Sequence, residues 1–182
     1  MLQRRAVTET VCCRMLDSTH LEVVNLGDSG LRIIRDGKIV FATESLQHGF
    51  NMPFQLGSKE FIPYTDVPAS ALRDVVEVEA GDVVFMASDG FFDNVWDSEL
   101  ARLVKNSCLF DGYEKENCVE HMAESLAQAA AGNSKDTTLR TPWSVACAKN
   151  KDVGLLKKLF PQGGKVDDIS VIVAQIEAPG DS

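Results

Sequence analysis

VVFMASDGFFDN, residues 83–94, starts with five uncharged residues suited to a buried strand and then becomes polar at Ser88. Two carboxylates follow, Asp89 and Asp93, four residues apart and with Gly90 between them. A buried strand holds the residue at its end rigidly, and a glycine lets the backbone turn tightly beside it. The stretch therefore predicts that both carboxylates face one site, where a strand ends and a helix begins.

The composition is typical of one soluble globular domain that spans residues 1–182. Hydrophobic residues make up 45% of the chain and charged residues 25%, which excludes the disordered and fibrous classes. The formal net charge of -9 disfavours binding to phosphate backbones or anionic lipid. No apolar run approaches the roughly 18 residues that a membrane-spanning helix needs. We therefore expect no nucleic-acid partner and no membrane span, and no pattern indicates an oligomeric state.

The five cysteines predict neither a disulfide framework nor a zinc site, because their number is odd and no CxxC spacing occurs. They favour a reducing, intracellular compartment. The first residues, MLQRRAVTETVCC, are basic at the start but lack the apolar core of a signal peptide.

Alternating apolar and polar residues predict an antiparallel meander in the first quarter of the chain. Asp36-Gly37 marks its clearest hairpin, because a type I′ turn needs positive φ at both central positions. Residues 44–70 lack clear periodicity, and we expect an ordered loop there. The predicted strands are Thr8–Leu16, His20–Leu26, Leu31–Arg35 and Lys38–Phe41.

The rest of the chain mixes strands with helices, which predicts an α+β, sheet-rich domain. Two strands joined by Ala80-Gly81-Asp82 are predicted to form another hairpin, and Gln162–Lys165 is predicted to be a turn. The predicted strands are Val75–Glu79, Val83–Ala87 and Ile169–Ile176. The predicted helices are Asn94–Asn106 with Asp97 as N-cap, Glu114–Ala131 ended by Gly132-Asn133, and a short helix at Trp143–Lys149.

Three separate segments place aspartate at the end of a strand. They are NLGDSG with Asp28, ASDGFFDN with Asp89 and Asp93, and KVDDIS with Asp167 and Asp168. Taken singly, each is also explained as a turn residue or a helix cap. Taken together they favour a cation, because a cluster of desolvated carboxylates is costly without one. Mg²⁺ and Mn²⁺ prefer such oxygen ligands, and these ligands do not separate the two metals.

The same three segments, in this order and spacing, resemble the last three motifs of the metal-dependent PPM (type 2C) protein phosphatases. The likeness covers about residues 8–176, and QHGFNMPFQL at residues 47–56 resembles a signature of the compact branch found in mitochondria and chloroplasts. The resemblance implies a β-sandwich flanked by helices, with a centre of two or more Mg²⁺ or Mn²⁺ ions at one edge. It also implies hydrolysis of phosphoserine or phosphothreonine in a phosphoprotein substrate by a metal-activated water, without a catalytic side chain that is itself the nucleophile.

The motif positions imply roles for individual residues. Asp89 and Asp167 would bind the catalytic metal pair, and Asp28 and Asp93 would help to hold a weaker ion that shares Asp89. Asp168 stands where many members have asparagine, so it is expected beside the ligands or in a structural role. The resemblance further implies that Gly27 and Gly90 are needed for the backbone geometry at the site. His48 and Asn51 would lie in a loop on the substrate side or serve as structural hydrogen-bonding residues.

The first half of the family pattern is absent. The Asp-Gly-x-Gly motif, whose aspartate would bridge both metals, does not occur ahead of Gly27. We therefore expect a partial sandwich that lacks its N-terminal strands and first metal motif, with unpaired edges and impaired or no activity alone. Two alternatives stay open: a non-catalytic phosphatase-like binding or regulatory protein, and an unrelated α+β module that binds a divalent cation.

Overall fold

The computed structural model describes residues 7–58, 65–107, 115–149 and 159–178. The strands are β1 (Val7–Thr8), β2 (Thr10–Met15), β3 (His20–Leu26), β4 (Gly30–Arg35), β5 (Lys38–Ala42), β6 (Gln47–Gly49), β7 (Met52–Pro53), β8 (Leu56–Gly57), β9 (Leu72–Glu77), β10 (Val83–Ala87) and β11 (Val171–Gln175). The helices are α1 (Asp89–Phe92), α2 (Asp97–Ser107), α3 (Lys115–Lys135) and α4 (Pro142–Lys149), with a 3₁₀ turn at Pro68–Ser70.

Two antiparallel sheets carry the fold in the described part of the chain. The larger has the strand order β11-β10-β4-β5, and the smaller has the order β2-β3-β9. Two short pairs, β1 with β8 and β6 with β7, lie outside them. Apolar side chains on two outer strands are exposed, since Val75 on β9 and Ile172 on β11 each retain 57% of their accessible surface.

The first core lies between the two sheets. β3 contributes Leu21 and Val23, and the larger sheet contributes residues from β4 and β10. Side chains alternate between the faces of a strand, so every second residue of β4 and β10 can enter this core. Its buried members are Leu21, Val23, Leu31, Ile33, Val78 and Val84.

The second core lies on the opposite face of the larger sheet, against the helices. Ile34 and Phe85 face it from β4 and β10, and Phe91 faces it from α1. The remaining buried members come from the ends of β10, the helices and the turn between α1 and α2: Val83, Ala87, Val95, Leu100, Val104, Met122, Leu126 and Ala130. The layers are thus sheet, sheet and helices, which confirms the predicted α+β sandwich flanked by helices.

The predicted meander is wrong, although its hairpins are real. Asp36 and Gly37 have φ of 52° and 71°, as the turn between β4 and β5 requires. However, β3 pairs with β2 and β9 while β4 pairs with β5 and β10, so the chain changes sheets at residues 27–29. Pairing across the sandwich is decided by the two buried faces, which a local pattern does not specify.

The predicted hairpin between residues 75–79 and 83–87 is also wrong. β9 lies in the smaller sheet and β10 in the larger one, so the intervening turn crosses the sandwich. Asp82 anchors this crossing: its buried carboxylate accepts hydrogen bonds from Arg35 Nε and Nη2, both at 2.8 Å, and from the Glu79 backbone N–H. Burial alone would raise the pKa of Asp82, but these hydrogen bonds outweigh it and the pKa is lowered.

Several element boundaries differ from the predictions. The expected loop at 44–70 contains β6, β7, β8 and the 3₁₀ turn, while residues 59–64 lie outside the described residues. Asp97 is the first residue of α2 rather than its cap, and α3 continues through Gly132 to Lys135. Glu114, the predicted start of α3, lies outside the described residues. Across the described residues, no helix combines the length and apolarity that crossing a bilayer requires.

The packing of α3 on the larger sheet can be tested with Leu126→Ala. Leu126 is 1% exposed in the second core, so we expect the substitution to lower the free energy of unfolding by about 2–5 kcal/mol. Glu120→Ala, on the exposed face of the same helix, should change it by less than about 0.5 kcal/mol. Urea denaturation measures both, and equal effects would contradict this packing.

Candidate metal centre

Asp89 and Asp93 are brought to one face by α1. β10 ends at Ala87, Ser88 is extended, and the helix starts at Asp89. The Asp93 backbone N–H donates to Asp89 O at 2.8 Å, so the two side chains lie one helical turn apart on the same face. The intervening Phe91 is fully buried, and its ring centroid lies 4.7 Å from that of Phe85. Core packing therefore fixes where the two carboxylates point.

Gly90 and Asn94 attach the segment before β11 to α1. A Cβ at Gly90 would collide with the Asp168 backbone oxygen, so only glycine allows this close approach. The buried Asn94 side chain donates to Gly90 O and Lys165 O, both at 2.8 Å, and accepts from Lys165 N at 2.9 Å. These contacts hold Lys165 and Asp167 beside the carboxylates of α1.

The Lys165 ammonium lies at the centre of the predicted acidic residues. Its Nζ donates to Asp89 Oδ2 at 2.7 Å and Asp93 Oδ2 at 2.8 Å, and it forms an ion pair with Asp167 Oδ2 at 3.2 Å. The sequence prediction had assigned Lys165 only to a turn. The only clue in the sequence is that Lys165 stands two residues before Asp167. That position alone does not indicate that the lysine side chain folds back onto the aspartates.

The loop at residues 47–51 closes one side of this cluster. Asn51, in the left-handed conformation with φ of 53°, accepts a hydrogen bond from Lys165 Nζ at 3.2 Å. The same ammonium lies 4.9 Å from the Trp143 ring centroid, and Phe50 stacks on that ring at 5.2 Å. Asn51, predicted as a substrate-side residue, thus borders the carboxylates directly.

His48 occupies a different part of the same loop. Its Nε2 pairs with Asp66 Oδ1 at 3.0 Å, and its ring stacks on Phe54 at 4.0 Å between centroids. Asp66 also accepts from the Gln55 backbone N–H at 2.8 Å. The structure therefore places His48 where it ties the two ends of the loop together.

Asp168 contacts its surroundings through its backbone. Its oxygen accepts from Ser88 Oγ at 2.9 Å, and its N–H donates to Asp167 Oδ1 at 2.9 Å. Its side chain is exposed. The hydrogen bond from the Asp168 N–H orients the Asp167 carboxylate, and the role of Asp168 itself stays a prediction.

Asp28 reaches the same edge from the crossing between β3 and β4. Gly27 has φ of 103°, and a Cβ there would lie 2.6 Å from Glu9 Cγ and 2.9 Å from Phe54 O. Only glycine fits this turn, which directs Asp28 inward. Asp28 Oδ2 accepts from Gln47 Nε2 at 3.0 Å, whereas the buried Oδ1 receives no hydrogen bond.

A small cavity connects Asp28 with Asp89 and Asp93. It has a volume of about 160 Å³ and is lined by oxygen-bearing side chains and by the aromatic ring of Phe92. Arg32 also lines it, lying 4.4 Å over the Phe92 ring and donating to Asp97. The cavity therefore joins the site of Asp28 to the carboxylates of α1.

Burial of carboxyl groups, together with their mutual charge, raises pKa values in this region. Burial raises the pKa of Asp28 to about 8, helped by the nearby carboxyls of Glu9 and Asp89. Burial also raises the pKa of Asp93, although Lys165 opposes the shift. Burial would lower the pKa of Lys165, but its bonds to Asp89 and Asp93 outweigh this and raise it.

The donor set fits a hard divalent cation in its chemistry. The side-chain ligands on offer are carboxylate and amide oxygens, and the orphaned Asp28 Oδ1 is an acceptor without a donor. In the geometry seen, however, no group of three or more His, Cys, Asp and Glu side chains within the described ranges converges closely enough for an ion. The carboxylates instead surround an ammonium.

Comparison with known proteins finds protein phosphatases among the relatives of this chain. No family model matches the sequence. The chain is 39% identical over 173 residues to "Probable protein phosphatase 2C 26" of Arabidopsis thaliana, a match that covers 92% of this chain and 54% of that protein. It is 34% identical over 178 residues to "Protein phosphatase PTC7 homolog" of Homo sapiens, covering 92% and 53%.

A solved structure extends the likeness to the fold. The X-ray structure of the photosystem II phosphatase PBCP matches 96% of this chain and 66% of its own, with a TM-score of 0.80 and 34% identity. These matches exclude an unrelated cation-binding module. The chain spans about half the length of the curated relatives it matches.

A matched pair of glycine substitutions tests the geometry of the centre. Gly90→Ala should lower the free energy of unfolding by about 1–3 kcal/mol, because the added Cβ collides with the Asp168 backbone. Gly132→Ala, in α3 with open space around it, should raise stability by about 0.5–1 kcal/mol through helix propensity. Thermal or urea unfolding measures both. A neutral Gly90→Ala would contradict the close approach of residues 165–168 to α1.

The raised pKa of Asp28 predicts a pH dependence of stability in EDTA. The carboxyl stays protonated in the folded protein up to about pH 8, whereas in the unfolded chain it ionises near pH ~3.9. Its stabilising contribution is therefore fully present below about pH 4 and is lost as the pH rises through about 8. Asp28→Asn, which does not titrate, should flatten the profile of urea midpoints between pH 5 and 8.5.

The control for this profile is Asp74→Asn, since Asp74 is exposed on β9 in the other sheet. That variant should keep the slope of the parent protein. A slope unchanged by Asp28→Asn would show that Asp28 is not protonated in the folded state.

Proposed function

Because the chain belongs to the type 2C (PPM) family of protein phosphatases, we propose that it supplies the metal-binding part of a centre that hydrolyses phosphoserine and phosphothreonine in phosphoproteins. The observation that carries this proposal is the convergence of Asp89, Asp93 and Asp167, from two distant segments, on a single positive charge. Asp28 joins the same edge through the shared cavity. In metal-assisted hydrolysis the protein contributes mainly by fixing the coordination of the metal ions, which several fixed carboxylates can do.

The proposed ligands keep the division that the family resemblance implies. Asp89 and Asp167 would hold the catalytic pair of Mg²⁺ or Mn²⁺ ions, and Asp28 and Asp93 would help to hold a weaker ion that shares Asp89. When bound, such ions supply an activated water and neutralise charge on the phosphoryl group.

The chain's own residues position these ligands. Asn94 and Gly90 hold the segment that carries Asp167 against α1, and the Asp168 N–H orients the Asp167 carboxylate. Asn51 and the ring of Trp143, which both contact the Lys165 ammonium, form a wall beside the carboxylates. We propose that this wall is the surface that meets the phosphoprotein.

These relatives are about twice as long as the matched region, so the activity of a whole enzyme stays a proposal for this chain. One relative is named a photosystem II phosphatase. For this chain we propose only the class of substrate, a phosphoprotein. A location in mitochondria or chloroplasts stays a prediction.

A non-catalytic, phosphatase-like binding protein is the second candidate. The observation that favours it is the Lys165 ammonium, because it already supplies a counter-charge to the three carboxylates. A protein of this kind would keep the fold and the wall of Asn51 and Trp143 but would not hydrolyse phosphate esters.

A chimera tests the proposal. The matching segment of the photosystem II phosphatase PBCP is replaced by residues 8–176 of this chain, and hydrolysis of p-nitrophenyl phosphate is measured in Mn²⁺ and in EDTA. We expect Mn²⁺-dependent hydrolysis. Asp89→Asn and Asp167→Asn should each lower kcat/KM by at least about 100-fold, since even groups that only orient metal ligands are worth 10–100-fold.

Three controls accompany the chimera: unmodified PBCP, the 182-residue chain alone, and the exposed variant Asp74→Asn, which should leave the rate unchanged. Hydrolysis by the 182-residue chain itself would also support an enzyme. A folded but inactive chimera beside active PBCP would overturn the proposal and favour the binding protein.

A further inference from the structure

Lys165 makes the contacts of a bound cation. Its Nζ has four oxygen neighbours between 2.7 and 3.2 Å, three of them carboxylate oxygens of Asp89, Asp93 and Asp167 and the fourth Asn51 Oδ1. An ammonium has three N–H donors and no acceptor, so this oxygen shell suits it well. The side chain is only 16% exposed.

The backbone of Lys165 is fixed by contacts that do not involve its charge. Asn94 binds both its N–H and its C=O. The preceding Gly164 packs so closely on α3 that a Cβ would collide with the Asn133 backbone oxygen, and Gly163 has φ of 104°. The fold therefore positions the Lys165 ammonium at the carboxylates through contacts that do not depend on its charge.

The ammonium and a divalent ion exclude one another. Both would need the carboxylates of Asp89 and Asp167, which already contact the ammonium through their Oδ2 atoms. Two such cations within a few ångströms repel each other strongly in a partly buried site. One cation has to leave before the other binds.

A second position for the ammonium already lies beside the first. The Trp143 ring face is 4.9 Å from Nζ, and an aromatic face attracts a cation. The ring of Trp143 is carried by α4 and stacked on by Phe50, and Asn51 Oδ1 faces the same nitrogen from the loop. A small rotation of the side chain would keep these two contacts while releasing the carboxylates.

From these contacts we infer that Lys165 is an intramolecular competitor of the divalent cation. Its ammonium occupies the carboxylate cluster in the metal-free protein and moves toward Trp143 and Asn51 when the metal binds. This inference rests on the proposed metal centre and concerns the regulation of that centre. It makes metal affinity weaker and the metal-free protein more stable than the carboxylates alone would allow.

Titration of the 182-residue chain with Mn²⁺ by isothermal calorimetry tests the competition. Lys165→Met should bind Mn²⁺ at least about 10-fold more tightly than the parent chain, because no ammonium has to be displaced. In EDTA the same variant should have a lower Tm, so its rise in Tm on adding Mn²⁺ should exceed that of the parent. Lys165→Arg keeps the charge and should stay near the parent affinity. Lys149→Met removes an exposed charge from α4 and should change nothing.

The outcomes separate this inference from the proposed function. Equal or weaker Mn²⁺ binding by Lys165→Met would overturn the role of Lys165 while leaving the metal centre standing. Binding by neither protein would overturn the metal centre itself. Binding only by the variant would support the competition in its strongest form.

A measurement on the unsubstituted chain covers the case in which Lys165→Met fails to fold. Reductive methylation of lysines is followed by mass spectrometry with and without Mn²⁺. Methylation of Lys165 should be slow in EDTA, where its ammonium is enclosed, and should rise several-fold in Mn²⁺, while that of Lys149 stays constant. A rate at Lys165 that does not respond to Mn²⁺, at saturating metal, would overturn the inference.

Discussion

Burial of β10 on both faces is the constraint on which the rest of the structure depends. Val84 faces the sandwich core while Phe85 faces the helices, and β4 and β11 pair with the two edges of the strand. A strand enclosed in this way cannot shift register by one residue without exchanging its two buried faces. Its C-terminal end is therefore a rigid point, and Asp89 begins α1 two residues beyond it.

The acidic edge follows from this rigid point. α1 adds Asp93 one turn later, Gly90 admits the segment that carries Asp167, and the crossing at Gly27 adds Asp28. Assembling these carboxylates costs electrostatic free energy, which is visible in the raised pKa values of Asp28 and Asp93. The core packing offsets that cost, since desolvated like charges would otherwise separate.

The competition that we infer would give the edge two cationic states, one with the Lys165 ammonium and one with a divalent cation. With the ammonium in place, the carboxylates have a counter-charge. The same ammonium also contacts Asn51 and Trp143, so it links the wall to the carboxylates. A divalent cation in its place would loosen that link between the wall and the centre. The identity of the cation at the carboxylates would therefore affect the wall of Asn51 and Trp143, which is the surface that we propose meets the phosphoprotein.

Local sequence determined much of this protein. It predicted β3 from His20 to Leu26, the type I′ turn at Asp36-Gly37, and the three acidic segments, because alternation, turn chemistry and strand-end aspartates are short-range features. The likeness to the type 2C phosphatases rested on those segments and is confirmed by the relatives. The assignment of metal-binding roles to Asp28, Asp89, Asp93 and Asp167 stays a prediction.

Only the tertiary structure decided which strands pair and where Lys165 lies. The crossings at residues 27–29 and 80–82 look like hairpin turns in sequence, yet they join different sheets because burying two faces of the larger sheet is worth more than keeping neighbours paired. The path of Lys165 depends on Asn94, 71 residues away, and on the fit of Gly164 against α3. Contacts of that range leave no periodic trace in a sequence, since they are selected by the packed shape of the whole domain.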